Sequence, residues 1–417
     1  MSSLIVAGGV PLSGSCRISG AKNAALPILA ACMLLDRPVW LTDCPRLADV
    51  DNMLRILRTL GCHTAYEGDR LMVDASRAHN HMLPEQLTKA LRSSVFLLGP
   101  MLARLNRAVV AYPGGCEIGQ RPIDLHLQGL RQLNARIHEE GGSIRCEGDR
   151  LIGADIHLDY PSVGATENIM MAAVAAEGET VIRNAAREPE IMALQEFLCA
   201  TGFSVSGAGS SNVRIQGGGA PRSATFKIMP DRIVAGTLLA AAAITGGSIR
   251  LTNVVPEHMT GILAKLRESG CAITAEDAAL TLCAPERLRE IKLIETLPHP
   301  GFPTDMQAQI FAVCTLARGT SVIVENVFEN RFKHALELGK MGADCTVRGR
   351  MAIIRGVETL RGARMNACDL RGGAALTIAA LAAEGESVVQ NAEYIDRGYE
   401  CFEKTLCALG AQVVRKA

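Results

Sequence analysis

Aromatic residues are scarce in this chain, at 4% of 417 residues with a single tryptophan. Aromatic side chains carry much of the burial in ordinary cores, so the cores here must be aliphatic and closely packed. Net charge is missing as well. Lys+Arg and Asp+Glu number 43 each, so neither nucleic acid nor an anionic membrane is implied as a bulk partner. Long apolar runs are absent: Ala235 to Thr245 is among the longest, and it is too short and too broken to span a bilayer, which excludes membrane insertion. The first ten residues carry neither a basic segment nor a long apolar core, so no signal peptide is expected. The 14 cysteines include no Cys-x-x-Cys, and Cys401 and Cys407 are the closest pair. That argues against a zinc ribbon or a thioredoxin-like site; no metal, cofactor or obligate protein partner is expected. Scattered thiols without a signal peptide fit a reducing, cytoplasmic setting. Cys32, Cys199, Cys283 and Cys314 lie in apolar runs, where cysteine behaves as a small hydrophobe. His79 and His81 lie in a polar loop and are read as solvated.

What is present is repetition. The chain is 48% hydrophobic and long enough for two or three domains. A helix that ends in Gly or Asn, followed by a strand, a turn and a second strand, recurs six times. The helix ends are Leu60-Gly61-Cys62, Leu133-Asn134-Ala135, Thr201-Gly202-Phe203, Ser269-Gly270-Cys271, Met341-Gly342-Ala343 and Leu409-Gly410-Ala411. The spacing of about 70 residues is longer than that of solenoid repeats. Glycine at such a position supplies a left-handed helix cap. Upstream of each amphipathic helix lies a helix that is apolar nearly all round: Leu26 to Leu35, Val95 to Leu105, Ile169 to Ala176, Ile233 to Ile244, Ile310 to Leu316 and Ala374 to Ala383. Such helices should be buried. A short strand follows each. The pattern predicts an α/β fold of six βαβαββ-type repeats, with helices inside and sheets outside. The sixth repeat needs a partner strand, and Leu4 to Ala7 is the candidate. A break near Pro230 predicts two lobes of three repeats each, residues 22–229 and a discontinuous lobe of residues 1–21 and 230–417.

The residues that open the apolar helices are the functional signal. They are Lys22-Asn23, Arg92-Ser93, Gly164 to Glu167, Asp231-Arg232, Thr304-Asp305 and Leu370-Arg371. Helix N-termini present N–H groups and a positive dipole, and so bind anions. Ordinary capping explains Ser93 and Asp305. It does not explain Lys22, Arg92 or Arg371, because the dipole disfavours cations there. Arg397 sits at another helix start. The stretch Tyr112-Pro-Gly-Gly-Cys-Glu-Ile-Gly-Gln-Arg-Pro-Ile-Asp124 stands apart. Its glycines predict an exposed loop around Cys116, and Arg121 nearby favours a thiolate or an anionic ligand. On these residues alone, Cys116 is either a reactive thiol or an incidental loop cysteine.

Six motifs carry a resemblance over the whole chain: Ser19-Gly-Ala-Lys-Asn-Ala-Ala25, Pro113 to Asp124, Ser162-Val-Gly-Ala-Thr166, Phe302-Pro-Thr-Asp-Met-Gln-Ala-Gln309, Phe328-Glu-Asn-Arg-Phe332 and Ile395-Asp-Arg-Gly-Tyr-Glu400. In order and wording they resemble the enolpyruvyl transferases of peptidoglycan synthesis. The resemblance implies two inside-out α/β lobes. It implies transfer of the enolpyruvyl group of phosphoenolpyruvate to the 3-hydroxyl of UDP-N-acetylglucosamine, with release of phosphate. It places Lys22 and Asn23 on phosphoenolpyruvate, Arg121 and Arg397 on its phosphate and carboxylate, and Arg371 in the same region. Arg92, the run Arg121-Pro122-Ile123-Asp124-Leu125, the run Tyr160-Pro161-Ser162-Val163 with Gly164, and Val327 would hold the sugar nucleotide. Asp305 would approach the 3-hydroxyl, and Cys116 would protonate the methylene carbon.

These roles make chemical sense. Phosphoenolpyruvate is a small polyanion, and converging cations must replace its water. Its methylene must gain a proton as the hydroxyl loses one, so an acid and a base are both needed. Tyr160, where some members of the family carry lysine, and Tyr394 and Gly372-Gly373 depart from the pattern, which bears on affinity rather than reaction type. The alternatives are a sister transferase acting on shikimate 3-phosphate, whose Gly-Asn-Ala-Gly-Thr motif is absent here, and a non-catalytic paralogue that binds a UDP-sugar. Intact Lys22, Cys116, Asp305 and Arg397 argue against the second.

Overall fold

A computed structural model describes residues 2–112 and 123–416. The described residues form two compact units: a split unit of residues 2–19 and 230–416, and an inserted unit of residues 20–112 and 123–229. Each has its own aliphatic core. Among the described residues no helix is long and apolar enough to cross a membrane.

Each repeat builds one sheet, and the sheets share one plan. A central strand follows the buried helix: Val39–Thr42, Arg107–Ala111, Glu179–Arg183, Ser248–Thr252, Thr320–Val324 and Glu386–Gln390. On one side it pairs antiparallel with a strand of the following hairpin or, in the sixth sheet, with the N-terminal strand Ser3–Ala7. On the other it pairs in parallel with an edge strand from the preceding repeat, reduced in the second repeat to one bridge, Met82 to Val109.

This plan explains the chain path. Leu4 faces Val389 on one side and Arg415 on the other, so the first strand, Ser3–Ala7, completes the sixth sheet as the sequence suggested. The next strand, Ser13–Arg17, is the parallel edge of the fourth sheet. In the inserted unit, Thr225–Lys227 is the parallel edge of the first sheet. Three repeats thus close into a cycle in each unit, and the chain exchanges between the two cycles at equivalent points.

The helices lie inside. Leu370–Ala382 is buried along almost its whole length, as is Arg232–Ile244, and both pack on Gln307–Thr315. The strands alternate buried and exposed residues, as in Ser248–Thr252 and Asn212–Gln216, so the outer sheet faces meet solvent. Gly61, Gly202, Gly270, Gly342 and Gly410 have φ of 90° to 100°, and Asn134 has φ 70°. All six helix ends read from the sequence are therefore left-handed.

Two expectations need correction. The buried helices begin before their apolar runs, at Lys22, Val163, Arg232 and Leu370. Their polar openings are part of the first turn, which an apolar-periodicity reading leaves out. Among the cysteines, Cys32 and Cys314 are buried, but Cys199 is half-buried and Cys283 is exposed. Cys283 ends the strand Ala279–Cys283, where alternation turns it outward.

Candidate functional site

In the split unit the candidate residues gather around Asp305. A 3-10 turn, Thr304–Met306, leads into the helix Gln307–Thr315. No side chain caps this turn, which corrects the capping explanation for Asp305. Its carboxylate is instead clamped: Arg331 Nη2 donates to Oδ1 at 2.8 Å, and Arg371 Nη2 donates to Oδ2 at 3.0 Å. The guanidinium side chains are 2% and 3% exposed, against 24% for Asp305. Of the three, the carboxylate is the most exposed group.

The clamp has support beneath it. Gln309 Nε2 donates to the Asp305 carbonyl at 2.9 Å and to Thr237 Oγ1 at 3.0 Å. Thr237 Oγ1 and the Tyr399 hydroxyl share a hydrogen bond of 2.9 Å. The Arg371 guanidinium lies 5.4 Å from the centre of the Tyr399 ring. Burial works against the charge of Arg371, but Asp305, Tyr399 and Asp231 hold its pKa above the usual arginine value. Asp369 caps the helix Leu370–Ala382, its Oδ1 accepting from the N–H groups of Arg371 and Gly372 at 2.9 and 3.0 Å. The anion that compensates Arg371 at a helix N-terminus is thus a protein carboxylate. Arg397 does not open a helix, as the sequence suggested, but ends the 3-10 turn Ala392–Arg397, which packs on the same helix. Gly373 permits that approach, since a Cβ there would lie 2.9 Å from Ile395. Val327 follows the strand Thr320–Val324, and its N–H donates to Glu325.

In the inserted unit, Lys22 opens the helix Lys22–Ala31, which no side chain caps. Its Nζ lies 3.3 Å from Oδ2 of Asp49, a carboxylate in the first turn of Ala48–Thr59. Asn23 follows in the same first turn. Arg92 opens the 3-10 segment Arg92–Leu97, where Ser93 provides no cap. That segment packs on Lys22–Ala31 and on Val163–Ala173. The latter helix is capped by Ser162, whose Oγ accepts from the Ala165 N–H at 3.3 Å. A Cβ on Gly164 would lie 2.9 Å from the His126 ring and 3.1 Å from Phe96, so glycine is required there. His126 shares a 3.1 Å hydrogen bond with Asn168. Burial, and then the nearby Arg92 charge, push its pKa down to about 4. Ile123 is buried, Asp124 opens the helix Asp124–Gln132 with Leu125 behind it, and Tyr160 and Pro161 lie on the loop before Ser162. Cys116, Arg121 and Pro122 lie outside the described residues.

The structure therefore brings Asp305 and Arg371 together, adds Arg331, and keeps Lys22, Arg92 and Gly164 near the openings of the inserted unit's helices. Arg331 was visible in the Phe328-Glu-Asn-Arg-Phe332 motif but was given no role. Thr304 stood beside Asp305 in the sequence but was given no role, and Glu325 and Asp49 carried no sequence signal, because each acts through a contact distant along the chain.

Comparison with known proteins supplies an independent reading. The sequence pattern of the family described as EPSP synthase (3-phosphoshikimate 1-carboxyvinyltransferase) matches residues 6–406. A protein of Caldanaerobacter subterraneus subsp. tengcongensis named UDP-N-acetylglucosamine 1-carboxyvinyltransferase 2 is 49% identical over 408 residues, covering 98% of each chain. The UDP-N-acetylglucosamine 1-carboxyvinyltransferase of Myxococcus xanthus is 47% identical over 419 residues, covering 100% of both. Among solved structures, the enolpyruvyl transferase NikO of Streptomyces tendae matches with a TM-score of 0.90 at 24% identity, covering 100% of this chain and 99% of that one. The EPSP synthase of Acinetobacter baumannii matches with a TM-score of 0.76 at 20% identity, covering 100% of both. At those identities the two structures speak to the fold alone.

Proposed function

The chain belongs to the carboxyvinyl-transferring family described as EPSP synthase, and from that premise we propose that it transfers the enolpyruvyl group of phosphoenolpyruvate to the 3-hydroxyl of UDP-N-acetylglucosamine. One observation carries this reading: identity of 47% to 49% over essentially the full chain to proteins named UDP-N-acetylglucosamine 1-carboxyvinyltransferase. Phosphate is the second product, and the step commits a UDP-sugar to peptidoglycan in the cytoplasm.

The assigned roles follow the chemistry. Lys22, Asn23, Arg121, Arg371 and Arg397 serve phosphoenolpyruvate. Arg92, residues 121–125, residues 160–164 and Val327 serve the sugar nucleotide. The Cys116 thiol gives its proton to the methylene carbon of phosphoenolpyruvate, and the neighbouring carbon becomes electrophilic. The sugar 3-hydroxyl oxygen bonds to that carbon while its proton passes to Asp305. The resulting ketal then breaks its carbon–oxygen bond to phosphate, and loss of a methyl proton restores the double bond. The acid and base steps are each worth about 10²–10⁴-fold. The exposure of Asp305 beside two buried guanidiniums supports its part: the clamp fixes a carboxylate that stays more exposed than the groups holding it.

The test is phosphate release from phosphoenolpyruvate with UDP-N-acetylglucosamine, run beside shikimate 3-phosphate. Release with the sugar nucleotide alone is expected. Release only with shikimate 3-phosphate would move the chain to the sister reaction, and release with neither would make it a binding paralogue.

A further inference from the structure

Five of the six central strands end in the same local arrangement, and one of them has been altered. In each of the five, the first residue after the parallel edge strand donates its N–H to the last residue of the central strand: Ile228 to Thr42, Leu158 to Arg183, Ile18 to Thr252, Thr296 to Val324 and Ala367 to Gln390. The residue after the central strand is then Asp43, Asn184, Asn253, Glu325 or Asn391. Asp43, Asn184, Asn253 and Asn391 are left-handed, with φ of 54° to 58°. The three asparagines each donate Nδ2 to the carbonyl of the opposite residue: Asn184 to Leu158, Asn253 to Ile18 and Asn391 to Ala367. This latch ties the edge strand to the end of the central strand.

In the fifth repeat the position belongs to Glu325, which is fully buried and does not have positive φ. Opposite it is Thr296, also fully buried. Four donors converge on the carboxylate. Oε1 accepts from Thr296 Oγ1 at 2.8 Å and from the N–H groups of Val327 and Phe328 at 2.9 and 3.1 Å. Oε2 accepts from Thr304 Oγ1 at 2.9 Å. Thr304 begins the turn that carries Asp305, while Val327 and Phe328 begin the loop that ends in Arg331. Burying a carboxylate is costly unless its acceptors are filled, and an asparagine latch would have sufficed for the strand. The fifth repeat spends that cost on joining the Asp305 turn to the root of the Arg331 loop.

We propose that Glu325 is a positioning residue for transfer: it sets the Asp305 carboxylate and the Val327 segment in register with each other through Thr304 and Thr296. This rests on the reading of Asp305 as the acceptor of the hydroxyl proton. Glu325 touches no substrate. Its effect reaches the reaction because small displacements of a positioned group, on the order of 1 Å, cost roughly 100-fold in rate.

The experiment uses the full chain and three variants. Glu325→Asn places there the residue that three of the other sheets carry at the equivalent position. Thr304→Val cuts only the tie to the Asp305 turn, and Thr304→Ser restores it. With phosphoenolpyruvate and UDP-N-acetylglucosamine, Thr304→Val is expected to lower kcat by roughly 10- to 100-fold at nearly unchanged KM. Thr304→Ser should return most of it. Glu325→Asn should lower kcat similarly and also raise the KM for UDP-N-acetylglucosamine, since it releases Val327 as well. In parallel, hydrogen exchange of backbone amides in residues 304–309 should speed by at least about 10-fold in Thr304→Val and Glu325→Asn, with the helix Leu370–Ala382 unchanged. Folded Glu325→Asn or Thr304→Val with wild-type kcat and KM would overturn the proposal, as would unchanged exchange at residues 304–309. If Glu325→Asn does not fold, the Thr304 pair decides. An inert wild type would sink the substrate reading instead, and exchange alone would then decide whether Glu325 holds the turn.

Discussion

The two units share one plan and use their helix openings differently. In the split unit, Asp231 and Asp369 spend their carboxylates on helix N–H groups: Asp231 accepts from Ile233 and Val234, and Asp369 from Arg371 and Gly372. In the inserted unit, the helix Lys22–Ala31 and the segment Arg92–Leu97 open without a side-chain cap, and each opens on a cation. A capped N-terminus has its donors and its dipole answered from within. An uncapped one beside a cation is suited to an external anion. On the roles proposed above, the two uncapped openings of the inserted unit would receive an anion and the split unit would frame a proton-accepting carboxylate; the contrast is one of particular helices, since Ser162 caps Val163–Ala173 and no side chain caps Thr304–Met306.

The strongest way to break this comparison is at Asp305. Asp305→Asn should lower turnover by at least about 100-fold, the usual worth of a general base, while calorimetric binding of UDP-N-acetylglucosamine survives. The amide keeps the shape and one acceptor oxygen for a guanidinium but takes no proton. Near-normal phosphate release would move the base elsewhere and leave the split unit a scaffold.

Cys116 sharpens the anion-receptor side. Of the described thiols, Cys32, Cys62, Cys146 and Cys314 are pushed up by burial, the last three to about 12, so they are poor nucleophiles. Cys283, Cys401 and Cys407 are exposed and serve as controls. A phosphonate epoxide such as fosfomycin should label Cys116 first, and faster with UDP-N-acetylglucosamine present. Cys116→Ser should lose most activity, because a hydroxyl is too weak an acid. Cys116→Asp should keep activity and resist the epoxide. Peptide mapping that finds Cys283 or Cys401 labelled ahead of Cys116 would remove the thiol from the mechanism.

How much of this was legible in the sequence depends on the range of the interaction. The six left-handed helix ends, the buried helices and the first strand's place in the sixth sheet were readable, because glycine spacing and apolar periodicity are local signals. The helix openings at Lys22, Arg232 and Leu370-Arg371 were readable as polar entries, but the first turns they form were left outside the apolar runs. The Asp305 clamp was half legible. Asp305 and Arg371 stood out at helix openings, but nothing along the chain joined them to each other or to Arg331, since the three lie far apart in sequence. Glu325 looked like any strand-end acid, and only the equivalent positions in the other sheets reveal that it departs from them.

The two units should also differ little in one respect, their response to acid. His126 in the inserted unit and His334 in the split unit are both held near a pKa of about 4, below the ordinary 6.5, with burial the first cause in each. Between those values the unfolded chain binds more protons than the folded one. Each histidine's contribution is therefore intact above pH 6.5 and is lost as the pH falls toward 4, by up to roughly 3 kcal/mol per group. Glu167 has the opposite sign. Burial first, then Glu190 and Glu188, raise its pKa well above the ordinary carboxyl value, so its contribution is lost as the pH rises through that raised value. Chemical denaturation from pH 4 to 7 should show a slope that His126→Gln reduces. An unchanged slope would mean that His126 is protonated in the folded chain.

The smallest effect tests the capping contrast itself. Asp369→Ala removes a carboxylate that accepts from two backbone N–H groups, and such a loss costs about 1 kcal/mol. Asp369→Asn retains an acceptor oxygen and should cost only a few tenths. In a unit of this size about 1 kcal/mol moves Tm by about 2–4 °C, which differential scanning calorimetry resolves. Ser162→Ala in the inserted unit should behave like Asp369→Ala, since its hydroxyl also accepts from a helix N–H. Asn23→Ala should not lose stability through capping, because no side chain caps Lys22–Ala31; its loss should fall on the KM for phosphoenolpyruvate. If Asn23→Ala lowered Tm as much as Asp369→Ala and left KM alone, the first helix would be an ordinary capped helix, and the contrast between the two units would collapse.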